Sequence, residues 1–297
     1  MTDWTGTGRN TAELYLGMAE HELHGISPSY EALCRGVAGS EAVCALLDRL
    51  PRGKRQPNLL LGAVRFLDGP VDGPTTFLKF VAAQWDVVAD TMLTRSTQTN
   101  EPGRCATLLP LLCSLPQPLA LVEVGASAAL YLYPDRYRVR YTTSLGEQRL
   151  GDSQIVLSCA VTGPAPLPER LPEVGWRAGL DLNPLQANSE DDRRWLASLI
   201  WPEQIDRAER LDRALDVVDT DPPRLEAGDL PALLADAPSD ATLVVFHSAV
   251  AAYLDQEQRG RFTDVMHTLK RTRDVRQLHR STSPIPVDAG VTTQHQS

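Results

Sequence analysis

The sequence predicts an α/β fold, a mainly parallel sheet behind an N-terminal helical cap, and three observations carry that prediction. The first third spaces its apolar residues at intervals of three and four and offers no convincing strand. At Pro118 the pattern changes to the nearly continuous apolar run Leu119 to Val124, which marks a strand buried on both faces. From there short apolar runs alternate with helical stripes as far as Leu269, the order expected of a parallel sheet with crossover helices.

Ser27 followed by Pro28, and Ser40 followed by Glu41, are helix-start signals, the second leading into Val43, Leu46, Leu47 and Leu50. Phe77, Phe80, Val81, Trp85, Val88 and Met92 form the stripe of an amphipathic helix. TQTNEPGRCATLLPLLCSL leads from a loop into one more helix, so residues 1–117 are expected to form the helical cap. After the strand at Leu119 to Val124 comes Gly125, and ASAALYLY can open a helix. Tyr137, Val139 and Tyr141 then alternate with Arg136, Arg138 and Arg140. That arginine row could recruit an acidic substrate or RNA, but it reads more simply as the solvated face of a strand. IVLSCAV (155–161) is a further strand, and the Pro-rich GPAPLPERLPEVG is an exposed excursion, giving a hairpin and Pro-rich insertion around 142–178.

GLDLNPL returns to strand character, and Ser189 with Asp192 forms a capping box ahead of Trp195, Leu196, Leu199 and Ile200. Ile205, Ala208, Leu211, Leu215 and Val218 mark the next helix. RLEAGD, LPALLADAP, ATLVVFHSAVAAYL and the stripe of Phe262, Val265, Met266 and Leu269 complete the alternation over 118–279. Asp274 to Leu278 is a candidate short last strand. Beyond it the chain is polar with two prolines, and 280–297 are expected to be a disordered tail.

Lys plus Arg 29 against Asp plus Glu 38 gives a net charge of -9, which disfavours phosphate backbones and anionic lipid as partners. The five cysteines contain no C-x-x-C pair and suggest core residues of a reducing compartment rather than a disulfide frame or metal site. MTDWTGTGRN lacks the features of a secretion signal and no apolar run approaches the length of a membrane span, so the expectation is a cytoplasmic protein without a membrane partner.

The sharpest local feature is Glu123, an acid two residues before a glycine at the end of a buried strand. A strand, a glycine turn and a helix N-terminus make an anion site, because free N–H groups point at the ligand. A dinucleotide pyrophosphate would be repelled by Glu123, and G-x-G-x-x-G is absent. A ligand with both a carboxylate and an ammonium group fits better. S-adenosylmethionine is such a ligand, its carboxylate met by amides of residues 126 to 129, Ala126 and Ser127 first among them, and its cationic end by Glu123. The competing explanation of Glu123 is a buried acid satisfied by nearby backbone amides. His247 and Ser248 follow the run LVVF where α/β sheets bind ligands, and His247 is a candidate base for methyl transfer. Asn100 and Arg104, with Gln98 and Thr99, lie in a loop that could fold over the cleft as substrate contacts, although capping also explains them. Gly125, Ser127 and Ala129 approximate the G-x-S-x-G elbow of serine hydrolases, but the helical run before it argues against that class.

RQPNLLLGAV (55–64), TQTNEPGRC (97–105), LVEVGASAAL (121–130), GLDLNPL (179–185), LIWPEQ (199–204) and ATLVVFHSAVAAYL (241–254) together resemble a bacterial family, the domain of unknown function numbered 2332. Its plan is similar to the Rossmann-like class I S-adenosylmethionine-dependent methyltransferases. The resemblance implies Glu123 and Gly125 in the first cofactor loop, Asp181 near the ribose and Asp229 near the adenine. Asp181 reads equally as an Asx turn before Pro184, and Asp229 as a helix cap. Ala129 and Tyr131 depart from the family loop, which carries a glycine and a small amide there. That departure keeps open a non-catalytic binding or scaffold role. The class I plan also implies closing strands for which this chain leaves too little sequence, so an open sheet edge and a homodimer through it are expected.

Overall fold

The computed structural model describes residues 10–98, 100–227, 230–247, 260 and 275–279. The cap comprises α1 (Thr11–Met18), extended by a π-turn at Ala19–Leu23, then α2 (Pro28–Ala38), α3 (Glu41–Leu47), α4 (Pro57–Phe66), α5 (Pro74–Ala83), α6 (Trp85–Thr94) and α7 (Cys105–Ser114). The Ser40 hydroxyl accepts from Val43 N and caps α3, as its position suggests. Ser27 precedes Pro28 but does not cap; its hydroxyl donates to Glu203 Oε2 at 2.5 Å, joining the start of α2 to a distant turn. The stripe read as one helix is two, because the backbone leaves helical values at Gln84 (φ -112°, ψ 25°). Phe77, Val81, Trp85, Val88 and Met92 stay buried across the bend.

The α/β part contains β1 (Leu119–Val124), β2 (Arg138–Thr143), β3 (Gly146–Leu150), β4 (Val156–Ala160), β5 (Val174–Leu180), α8 (Glu190–Ser198), α9 (Ile205–Thr220), β6 (Arg224–Glu226), α10 (Leu230–Ala235), β7 (Thr242–His247) and β8 (Val275–His279). Its main sheet has the order β6-β5-β1-β7-β8, and every pairing within it is parallel. This is the Rossmann-like α/β fold that the sequence predicts. β2, β3 and β4 form a separate sheet in the order β3-β2-β4, with Tyr137, Val139 and Tyr141 turned into the core as their alternation requires. β5 starts at Val174, inside the stretch read as an exposed Pro-rich excursion, and ends at Leu180, so 181–185 of GLDLNPL follow it as a loop. The helix stripe at 262–269, the tail from 280 and the expected loss of closing strands lie outside the described residues.

The central strand separates two layers of core. Leu119 and Leu121 of β1, with Val244 and Phe246 of β7, pack into a large cluster that runs through the cap helices. Ala120, Val122 and Val124 face the other way, with Leu243 and Val245, against Leu230, Leu233 and Leu234 of α10. Among the described residues no helix is long and apolar enough to cross a membrane.

Candidate functional site

Strand alternation decides where Glu123 points. It shares the cap-side face of β1 with Leu119 and Leu121, in register with Gly179 of β5 and Phe246 of β7. Its residue is 1 % exposed, and Oε2 is buried with no hydrogen-bond partner among the described residues. Burial pushes its carboxyl well above the usual range, Asp181 pushes it further, and Arg104 pulls back only in part. Burial thus favours the protonated form of Glu123 over the ionised one. The backbone-amide explanation of its burial fails for Oε2.

The segment after β1 is not the helix start that ASAALYLY suggests. Gly125, Ser127 and Ala129 have φ of 82°, 51° and 64°, and only a short 3-10 turn, Leu130–Leu132, follows. Alternating left-handed residues prevent consecutive helical turns. The loop's amides are already paired: Gly125 N and Ala126 N donate to Leu180 O of β5 at 2.7 and 3.1 Å, and Ala129 N donates to Ala126 O at 2.6 Å. Ser127 N donates to Asp181 Oδ2 at 2.7 Å, and Ala128 N to Asn100 Oδ1 at 3.3 Å. Asn100 Nδ2 also donates to Ser127 Oγ at 2.6 Å. The loop is pressed onto β5, since a Cβ added at Gly179 would lie 2.6 Å from Ala126 Cβ.

Asp181 makes the Asx turn proposed for it, Oδ1 accepting from Asn183 N at 2.8 Å, while its other oxygen holds Ser127. Arg104 stands in the turn Pro102–Arg104, its guanidinium 5.7 Å from the centre of the Tyr131 ring. Tyr131, the family departure, is a buried wall beside Glu123, and burial and Glu123 push its hydroxyl up while Arg104 and the Glu101 backbone pull it down. Ser127 is 5 % exposed, and its hydroxyl is held by an amide, not offered at a surface.

The structure thus brings Glu123, Gly125, Ala126, Ser127, Asp181, Asn100 and Arg104 together. It puts His247 elsewhere: one residue beyond Phe246, it projects from the face of the sheet opposite Glu123. Asp229, Ser248 and Thr99 lie outside the described residues.

Hydrogen bonds join several of the segments that carry the family resemblance. Thr97 donates to Gln56 Oε1 at 2.7 Å, Gln98 to Asn183 O at 2.8 Å and Trp201 Nε1 to Asn58 Oδ1 at 3.1 Å. Gln204, Arg207 and Arg210, with Glu101 and Asp206, line a cleft that shares Arg104 with this site, and sequence reasoning gave them no role. Glu101 and Gln204 lay inside quoted segments; Arg207 and Arg210 sit on the polar side of α9, where nothing local distinguishes them from solvated charges.

A family model described as an uncharacterized protein conserved in bacteria (DUF2332) matches residues 12–289. No curated protein matches the chain, and no solved structure matches it.

Proposed function

The chain belongs to this bacterial family, and on that footing we propose that it binds S-adenosylmethionine at the carboxyl end of β1 and transfers its methyl group to an acceptor. The observation that carries the reading is the unpartnered Oε2 of Glu123 at this position. The strand order reverses between β1 and β7, and open α/β sheets take their ligands in the crevice outside such a reversal. A buried oxygen without a partner invites a donor, and the ammonium end of the cofactor supplies one that is also cationic. Asp181 uses two acceptor positions on Ser127 and Asn183, which leaves room on its carboxylate for ribose hydroxyls. The cofactor's carboxylate fits less directly, because the loop amides are already paired. It gains those of Ser127 and Ala128 only if Asn100 and Asp181 release them.

That last observation favours a second reading, a methyltransferase-like fold kept as a binding or scaffold module. Calorimetric titration with S-adenosylhomocysteine separates the two. Binding that weakens about tenfold or more in Glu123→Gln and Asp181→Ala, with Ser127→Ala near wild type, is expected under the first reading. A cation beside Glu123 favours its ionised form, so binding should also release a proton, visible as a heat that depends on the buffer. Absence of binding at millimolar ligand leaves the scaffold reading. An esterase activity abolished by Ser127→Ala would favour a hydrolase over both.

A further inference from the structure

Beside Glu123, Arg104 forms a wall shared with a second feature of the surface. Glu101, Arg104, Gln204, Asp206, Arg207 and Arg210 line an open cleft of about 540 Å³ between the turn Pro102–Arg104 and the start of α9. Three cations meet two carboxylates there, reversing the local charge of a chain whose net charge is -9.

The ion pairs inside the cleft do not use up those cations. Glu101 Oε1 accepts from Gly103 N at 3.0 Å and from Arg210 Nε at 2.9 Å, and Oε2 accepts from Arg210 Nη2 at 3.2 Å. Oε2 also lies 3.0 Å from Arg207 Nε, but that N–H is not aimed at it, so the contact is ionic without a hydrogen bond. Arg207 Nη1 donates to Gln204 Oε1 at 2.9 Å. Asp206 is exposed at the rim and makes no ion pair among the described residues. Arg104 is left against the Tyr131 ring with no carboxylate partner among the described residues. Burial and the neighbouring Arg104 and Arg210 lower the pKa of Arg207, while Glu101 and Tyr131 raise it. Glu101 carries one negative charge against the two arginines it pairs with, and Arg104 adds a third cation, so a further oxyanion suits the space; a guanidinium fork matches the oxygens of carboxylate and phosphate alike.

We infer that this cleft is a subsite for an oxyanion, a carboxylate or phosphate group, carried by the methyl acceptor and clamped by Arg104, Arg207 and Arg210. The role as acceptor subsite rests on the methyl-transfer reading; the capacity to bind an oxyanion does not. Arg104 acts on the Glu123 carboxyl through space, so an acceptor anchored in the cleft can present its reactive atom toward the crevice where the cofactor is proposed to bind.

The test titrates wild type, Arg104→Gln and Arg104→Lys separately with inorganic phosphate and with glutarate, at fixed ionic strength, by calorimetry. Arg104 makes no ion pair among the described residues, so Arg104→Gln should stay folded, and its circular dichroism checks this; Arg207→Gln gives a second probe of the same cleft. Saturable binding is expected in wild type, at least tenfold weaker in Arg104→Gln and Arg207→Gln, and intermediate in Arg104→Lys, which keeps the charge and loses the fork. Saturation by phosphate alone identifies a phosphorylated acceptor; saturation by glutarate alone, a carboxylic one. Equal affinity in wild type and both glutamine variants, or no saturation in any protein, overturns the proposal. S-adenosylhomocysteine is titrated in parallel: oxyanion binding without cofactor binding leaves the cleft standing and removes the methyl-transfer reading.

Discussion

Glu123 shows how a single residue's chemistry is set by the layer into which its strand turns it. The sequence identifies the residue, but its charge depends on burial and on Asp181, 58 positions away, and neither is a local property. The sign of the resulting pH effect follows. An unfolded carboxyl ionises near its ordinary value of 4.5, whereas the folded one holds its proton to a well higher pH. Above 4.5 the folded chain therefore binds the extra proton, and stability falls as pH rises until the folded pKa is reached, by up to about 1.4 kcal/mol per pH unit. Glu123→Gln removes that slope. Its stability in urea should exceed wild type by a margin that widens as pH rises above about 4.5. Parallel pH profiles would mean that Glu123 is ionised in the folded protein. Ala129 makes the complementary point. A glycine there looks, from sequence, like a device for close approach; the structure gives a left-handed backbone, φ 64°, as the physical reason. Hydrogen bonds from distant residues impose that conformation, and GASAAL alone looks like a helix start.

At the scale of elements, the segment between α6 and α7 works as a strap. Arg95 pairs with Asp192 at 2.8 Å and with Asp191, and its guanidinium lies 5.2 Å from the Phe66 ring centre. Ser96 O accepts from Trp195 Nε1 at 3.1 Å, Gln98 reaches Asn183, and Asn100 grips the loop after β1. Apolar periodicity revealed the helices on either side of it and said nothing of the strap, whose bonds are polar and long-range. Asn100 was expected as a substrate contact; the structure makes it 6 % exposed and gives both ends of its amide to the loop. Asn100→Ala should cost about 2 kcal/mol, by leaving Ser127 Oγ and Ala128 N–H buried and unpaired. If the strap blocks the amides that a ligand carboxylate needs, S-adenosylhomocysteine should bind this variant as well as wild type or better. A fall in affinity would instead return Asn100 to the ligand contacts.

The molecule as a whole divides differently from the way its sequence does. Composition changes sharply at Pro118 and marks off 1–117 as a unit, yet the larger core is continuous across that boundary. Leu119, Leu121, Val244 and Phe246 bury one face of the main sheet in the cluster that contains Leu33, Leu60, Phe77 and Val88 of the cap. Polar ties cross the same boundary, from Ser27 and Ser29 to Glu203 and from Tyr141 to Ala106 O. Exposing four such sheet residues forfeits on the order of 6 to 12 kcal/mol at 1.5 to 3 kcal/mol each. That matches the entire net stability of an ordinary domain, about 5 to 15 kcal/mol. Residues 118–297 produced alone should therefore aggregate or remain unfolded, and the full chain should melt in one cooperative transition. A dispersed amide spectrum from the 118–297 fragment would show that the sheet is self-sufficient. The Glu123 site would then be separable from the strap and cap that now close over it.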